Sequence, residues 1–335
     1  MPARVPVIDV GPLCLDEQAS DLGRVVGQLA EASRHPGVFH IVRHGVPDEL
    51  IRRVWMETKR FFALPRAVKR SVSRTKENSR GYYDRELTKN ARDQKEVFDF
   101  GNVPFPDLPP PHDHPDNRSA VGDQNQWLPD APRFRQTMEE YFKACETLGL
   151  KLLSAYCLGL DLPEHLLHPH FTGDHTSFVR LNYYPLDDPL DPADSATVTP
   201  LGDMALHHHT DAGALTILLQ DDVGGLQAFA GGEWLDVEPL DGALVINTGD
   251  VMQVWSNDLY KAALHRVLPR TERERYSIPF FFNPSYDTDY APLETVIGDG
   301  PKYRTINWGE FRRLRADGDY ADYGKEVQIE DFRIG

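Results

Sequence analysis

Apolar residues recur at spacings of three and four in two long stretches of the first half of the chain. In PDELIRRVWMETKRFFALP, Leu50, Ile51, Val54, Trp55, Thr58, Phe61 and Phe62 fall on one face, which predicts an amphipathic helix. Asp48 is placed to cap its start and Pro65 to mark its end. APRFRQTMEEYFKACETLGLKLLSAYCLGL repeats the pattern, with Phe134, Met138, Tyr141, Phe142, Cys145, Leu148 and Leu152 along one stripe. Both are expected to be supporting helices whose stripes pack on a core. Ahead of them, VFHIVRHGV reads as a strand ending in a glycine turn, with His40 and His44 structural.

The texture changes at about residue 176. Short apolar runs such as SFVRLNYYP, ALTILLQ, ALVINTGD and RYSIPFFF are separated by Gly, Asp, Asn and Pro, which predicts many short strands and a sandwich or jelly-roll. The chain thus divides into an N-terminal helical support region (1–170), a β core (171–290) and a C-terminal helix and acidic tail (291–335), expected to form one integrated domain. The fold class is mainly β with flanking helices. Two segments read as loops and candidate lids: the proline-dense 103–118 and the acidic PLDDPLDPADSATVTP. His112, Asp113 and His114 sit in the first without a strand or helix to fix them, so a metal cluster is not expected there.

Composition narrows the partners. A formal charge of −16 disfavours nucleic acid and membrane surfaces, both of which select basic proteins. No apolar run reaches the ~20 residues of a membrane span, and the N-terminus lacks a secretory signal. Three scattered cysteines fit free thiols in a reducing cytoplasm better than a disulfide framework.

The chemistry concentrates in LHHHTDAGALTILLQ. Asp211 follows His209 by two, and residues i and i+2 of a strand share a side. A neutral imidazole and a carboxylate can therefore aim at one point. AALHRVL supplies a third donor, His265, from another strand-like run. Two histidines and one carboxylate leave coordination positions open, as in non-haem Fe(II) sites. His208 is out of phase and should face solvent, whereas His207 is in phase near the mouth. Downstream, Arg275 and Ser277 repeat the i, i+2 spacing in RYSIPFFF. A guanidinium fork beside a hydroxyl suits a carboxylate, and burying that arginine is costly unless an anion meets it. Gly224 and Gly225 are expected to make a turn, and the side chains of Asn247 and Asp250 to bond backbone in the turn NTGD.

These pieces together resemble the isopenicillin N synthase-like family of Fe(II)/2-oxoglutarate-dependent dioxygenases. VPVIDVGPL, SRGYYDRE, RLNYYP, HTDAGALTILLQDDVGGLQAF, VINTGDVMQVWSN, HRVL and RYSIPFFFNP are similar to the family's signatures from end to end. The resemblance implies a double-stranded β-helix in which His209, Asp211 and His265 ligate Fe(II). It implies that Arg275 and Ser277 hold the distal carboxylate of 2-oxoglutarate, with Asn182 and Tyr184 nearby, and that O2 is the second co-substrate. The reaction implied is hydroxylation, desaturation or cyclisation of a small organic molecule, with release of succinate and CO2. Tyr82, Tyr83, Phe98, Phe100, Phe282 and Asn283 are the residues the family would bring to the substrate pocket. Two alternatives remain at this point: an Fe(II) oxidase of the same fold that does not use 2-oxoglutarate, and a non-catalytic ligand-binding jelly-roll.

Overall fold

The computed structural model describes residues 4–15, 21–75, 78–88, 91–102, 124–270, 272–321 and 327–334. The loop at 103–118, with His112, Asp113 and His114, lies outside the described residues. Both predicted helices form. Helix α1 (Leu22–Arg34) precedes α2 (Asp48–Phe62) and the long α3 (Pro132–Gly159). Leu50, Val54, Thr58, Phe61 and Phe62 of α2 are buried, as the stripe requires, while Ile51 and Trp55 are half-buried. Asp48 is the first helical residue rather than the cap, which is Pro47, and no side chain caps this end. Asp48 instead lies where a carboxylate meets the positive end of the helix dipole.

Twelve strands build the sheets around the site. The larger sheet has eight strands: β1 (Val7–Asp9), β2 (Val38–Val42), β3 (Gly81–Tyr83), β4 (Glu96–Gly101), β5 (Phe178–Tyr184), β7 (Leu215–Gln220), β10 (Leu244–Thr248) and β12 (Arg275–Phe282). They are ordered β1-β2-β10-β7-β12-β5-β4-β3, antiparallel throughout except for β1 with β2. The smaller sheet is β9-β8-β11-β6, from β6 (Leu206–His209), β8 (Leu226–Ala230), β9 (Glu233–Asp236) and β11 (His265–Val267). The two sheets form the jelly-roll, a double-stranded β-helix.

The segment that reads as helical thus also supplies four strands, β1 to β4. Of these, β2 is the strand that VFHIVRHGV predicts, whereas β4 is easily missed, because all six of its residues are buried and no polar–apolar alternation marks them.

Each face of the larger sheet has its own task. On the outer face α1, α2 and α3 bury an apolar cluster in which Phe61 meets Phe98 at 4.7 Å between ring centroids and Phe142 meets Phe280 at 5.3 Å. Burying each such ring contributes roughly 1.5–3 kcal/mol. A smaller apolar cluster, including Val38, Leu218, Leu226, Ala228 and Val267, joins the sheets on the inner face. Beyond that cluster the space between the sheets opens into a polar cavity, and helix α4 (Trp308–Ala321) reaches one side of it. Among the described residues no helix is long and apolar enough to cross a membrane.

Candidate metal centre and its pocket

Strand pairing brings the distant donors together. His265 on β11 stands opposite His209 on β6, with their ring centroids 4.4 Å apart. Asp211 follows β6, and its Oδ1 lies 3.7 Å from the Nε2 atoms of both histidines. The ligand atoms of His209, Asp211 and His265 all lie within 4.8 Å of one another.

The other face of each group is already occupied. The Nδ1 atoms of His209 and His265 lie 2.8 Å from the carbonyls of His207 and Ala263, so each ring donates there and leaves Nε2 with its lone pair inward. Asp211 Oδ2 accepts from Thr216 Oγ1 at 2.6 Å and from Asn247 Nδ2 at 3.3 Å, leaving Oδ1 turned towards the two imidazoles. Desolvation, with the His265 imidazole alongside, holds His209 well below its ordinary value, so it is neutral at physiological pH. Burial opposes ionisation of Asp211, yet the facing imidazoles and its two hydrogen bonds prevail and hold its carboxyl below the ordinary range. Two imidazoles with one carboxylate are a donor set that fits Fe(II).

The candidate anion anchor sits next to this centre. Arg275 and Ser277 of β12 pair across the ladder with Tyr184 and Asn182 of β5, and all four side chains line the cavity. Asn182 Nδ2 donates to Ser277 Oγ at 3.3 Å, and the Arg275 guanidinium lies 5.0 Å from the Tyr184 ring centroid. Arg275 is 2% exposed, yet its Nε and Nη1 have no hydrogen-bond partner among the described residues. Such buried donors are costly to leave unmet, so they fit a carboxylate.

The substrate candidates separate by strand parity. Asn283 lines the cavity. Tyr82, Phe98, Phe100 and Phe282 do not: they are buried in the outer-face cluster against the helices. Tyr83 is half-buried beside the guanidinium of Arg74, 5.3 Å from its ring centroid, outside the lining. The lining aromatics include Phe178 and Phe281, stacked at 4.7 Å. On β12, Arg275, Ser277, Pro279 and Phe281 face inward while Ile278, Phe280 and Phe282 face the helices. Aromatic residues occupy both phases here, so composition could not choose between them.

Several residues at the site carry no motif. Arg180 donates to Asp99 at 2.9 and 2.8 Å and to Glu86 at 2.8 Å, and Lys95 pairs with Glu86 at 2.8 Å and Asp93 at 3.0 Å. Arg74 pairs with Glu86 and Asp99 from behind. Asn247 and Asp250, expected to bond backbone, use their side chains otherwise: Asn247 holds Asp211, and Asp250 accepts from Arg315 of α4 at 2.7 Å. Arg315 also donates to the carbonyl of Thr210, between His209 and Asp211, at 2.7 Å. His208 is exposed, and His207, with Nε2 3.9 Å from Asp203, is outside the lining. Gly224 and Gly225 take positive φ of 77° and 95°, as their turn demands. His40 contacts the distant Glu238 carbonyl and His44 the neighbouring Val46 amide, both structural roles. The acidic loop is pinned: Arg92, fully buried, holds Asp188 at 2.7 and 2.5 Å and the Thr199 carbonyl at 3.0 Å.

Known proteins resemble this chain over most of its length. Residues 175–284 match the model of the 2OG-Fe(II) oxygenase superfamily, and residues 5–130 match that of the N-terminal region of non-haem dioxygenases in morphine synthesis. The chain is 36% identical over 320 residues to the 2-oxoglutarate-Fe(II) type oxidoreductase hxnY of Emericella nidulans, covering 91% of this chain and 87% of that one. It is 32% identical to a homoarginine-6-hydroxylase of Glycine max, covering 92% of both. Among solved structures, a full-length Neurospora crassa protein in complex with α-ketoglutarate shares the fold at a TM-score of 0.77 and 24% identity, over 93% of this chain and 95% of that one. JOX2 in complex with 2OG, Fe and JA superposes at a TM-score of 0.76 and 26% identity, over 97% and 90%. A jelly-roll with this donor set and this kinship makes the chain a member of the 2OG-Fe(II) oxygenase superfamily, an enzyme that uses Fe(II) and 2-oxoglutarate to oxidise a small molecule.

Proposed function

We propose that His209, Asp211 and His265 hold the Fe(II) ion, and that Arg275 and Ser277, with Asn182 and Tyr184 beside them, hold the far carboxylate of 2-oxoglutarate. The observation that carries this reading is the pairing of three converged ligand atoms with a buried guanidinium whose donors are unmet. Bound Fe(II) supplies the activation of O2 by which 2-oxoglutarate becomes succinate and CO2 while one oxygen atom is left for the substrate. The chain's own part is orientation. The Thr216 and Asn247 hydrogen bonds aim Asp211, the carbonyls of His207 and Ala263 set the histidine tautomers, and Arg275 fixes the co-substrate's direction.

We propose hydroxylation as the reaction on the substrate. The Glycine max relative is a hydroxylase, which supports this. The three cysteines are free and buried, which supports a reducing cytoplasmic setting. We also propose one integrated domain, since strands from the first 170 residues complete the larger sheet.

The test screens the Fe(II)-loaded protein with 2-oxoglutarate against a metabolite panel, following succinate and product mass. The expected result is one succinate per product molecule, with one oxygen atom gained. Loss of two hydrogen atoms would replace hydroxylation by desaturation. Asp211→Ala is expected to release no succinate while keeping the circular dichroism of the wild type. Full activity in that variant would overturn the ligand assignment.

A further inference from the structure

The inner wall of the cavity carries more positive charge than its metal and co-substrate need. Six cationic side chains line it, Arg80, Lys95, Arg180, Arg275, Arg312 and Arg315, against three carboxylates, Glu86, Asp99 and Asp211. The whole chain carries a formal charge of −16, so this concentration runs against the surrounding field.

Most of it is matched by neighbouring charge. A divalent metal and Arg275 together balance Asp211 and the dianion of 2-oxoglutarate. Arg180, Lys95 and Arg74 are matched by Glu86, Asp99 and Asp93. Arg315 is matched by Asp250, and Arg80 is engaged over the Phe178 ring. Arg312 is different. It lines the cavity half-buried and makes no hydrogen bond, ion pair or ring contact among the described residues.

Its position follows from helical spacing. Trp308, Arg312 and Arg315 stand four and three residues apart on α4, so one face of the helix meets the cavity. Trp308 Nε1 donates to Thr176 Oγ1 at 2.8 Å, and Arg315 is tied to Asp250 and Thr210. Those two anchors hold the helix on either side of Arg312. The stacked pair Phe178 and Phe281 offers an apolar surface in the same cavity, with the guanidinium of Arg80 5.0 Å from the Phe178 ring centroid.

We propose that this cavity takes a small organic anion as substrate, its acidic head group on Arg312 of α4 and its apolar body against Phe178 and Phe281. The proposal rests on reading Arg275 as the 2-oxoglutarate anchor, because that assignment leaves Arg312 for a second anion. A guanidinium pairs with a carboxylate or a phosphate alike, so the head group is either of these.

The experiment measures binding rather than turnover. The Fe(II)-loaded protein, kept anaerobic, is titrated calorimetrically with benzoate, phenylacetate, hexanoate, the neutral amide of each, and phenyl phosphate. Each titration is run with and without saturating 2-oxoglutarate. The expected result is that at least one acid binds tenfold or more tightly than its amide while 2-oxoglutarate is saturating. Arg312→Gln should abolish that preference and Arg312→Lys should retain part of it. Preference for phenyl phosphate over the carboxylates assigns the head group as phosphate, and the reverse order assigns a carboxylate. Equal binding of acid and amide, no acid binding anywhere in the panel, or a preference that survives in Arg312→Gln would overturn the proposal. Acid binding that disappears when 2-oxoglutarate is added belongs to Arg275 and also counts against it. Failure of 2-oxoglutarate itself to bind strikes instead at the Arg275 reading, and the titrations without it still decide the role of Arg312.

Discussion

His209 and His265 face each other as a cross-strand pair, and the carboxylate that completes the centre lies 3.7 Å from the Nε2 of each. Residues 56 positions apart are thereby aligned by an antiparallel ladder, which is stiffer than any loop. The residues supporting this pair should therefore matter almost as much as the ligands themselves.

Thr216 is the first to test. Its hydroxyl donates to Asp211 Oδ2 at 2.6 Å from the middle of the central sheet. Thr216→Val keeps the volume and removes the bond. Metal affinity is expected to fall about 10- to 100-fold, as is usual when a ligand loses its supporting hydrogen bond. Titration with Fe(II) or Mn(II) checks this, and wild-type affinity would show that the bond does not orient the ligand.

Arg275 should link stability to co-substrate. A ligand at one hundred times its dissociation constant stabilises the folded state by about 2.7 kcal/mol, so 2-oxoglutarate is expected to raise the melting temperature of the wild type. Arg275→Met should lose most of that rise. Without ligand the variant should be at least as stable as wild type, because it no longer buries guanidinium donors that lack partners. An undiminished shift by differential scanning fluorimetry would refute the role given to Arg275.

Arg315 and Asp250 form a buried pair between α4 and the segment that follows β10. Burial outweighs the nearby guanidinium and pushes the Asp250 carboxyl up to about 6. Arg315→Met is expected to cost about 3–5 kcal/mol, because it strands a buried carboxylate. Adding Asp250→Asn should return a good part of that cost. Chemical denaturation of both single variants and the double variant measures the coupling, and strictly additive losses would show that the two groups act independently.

Arg92 should govern the acidic loop. Its hydrogen bonds, foremost among the influences on Asp188, lower that carboxyl from 3.8 to about 2. A carboxyl lowered on folding stabilises the protein fully above its unfolded value and loses that contribution as the pH falls. The anchoring is thus complete above about pH 4 and fades towards about pH 2. Arg92→Ala is expected to speed proteolytic cutting within residues 185–200 about tenfold at neutral pH, the factor that about 1.4 kcal/mol of lost anchoring allows. Unchanged cutting would mean that the other tethers, Arg66 to Asp191 and Arg70 to Asp194, suffice alone.

What the bare sequence reveals follows from the range of each interaction. His209-x-Asp211 and Arg275-x-Ser277 are legible because i and i+2 on a strand must share a side, whatever the rest of the fold does. The stripes of α2 and α3 are legible for the same kind of reason, since helical periodicity is local. Phe98 and Phe100 escape such a reading because their sheet buries apolar side chains on both faces, so hydrophobicity does not say which way a ring points. The Arg180–Asp99–Glu86 cluster and the Arg315–Asp250 pair join residues 81, 94 and 65 positions apart, and charge alone names no partner across such distances.

The alternation along β12 divides one strand between two trades. Exchanging Phe281, or its stacking partner Phe178, would recut the chamber while leaving the mortar beneath the helices untouched, so new selectivities lie a single codon away. Inserting or deleting one residue in that strand would do the opposite, turning a guanidinium towards oil and a core ring towards the metal.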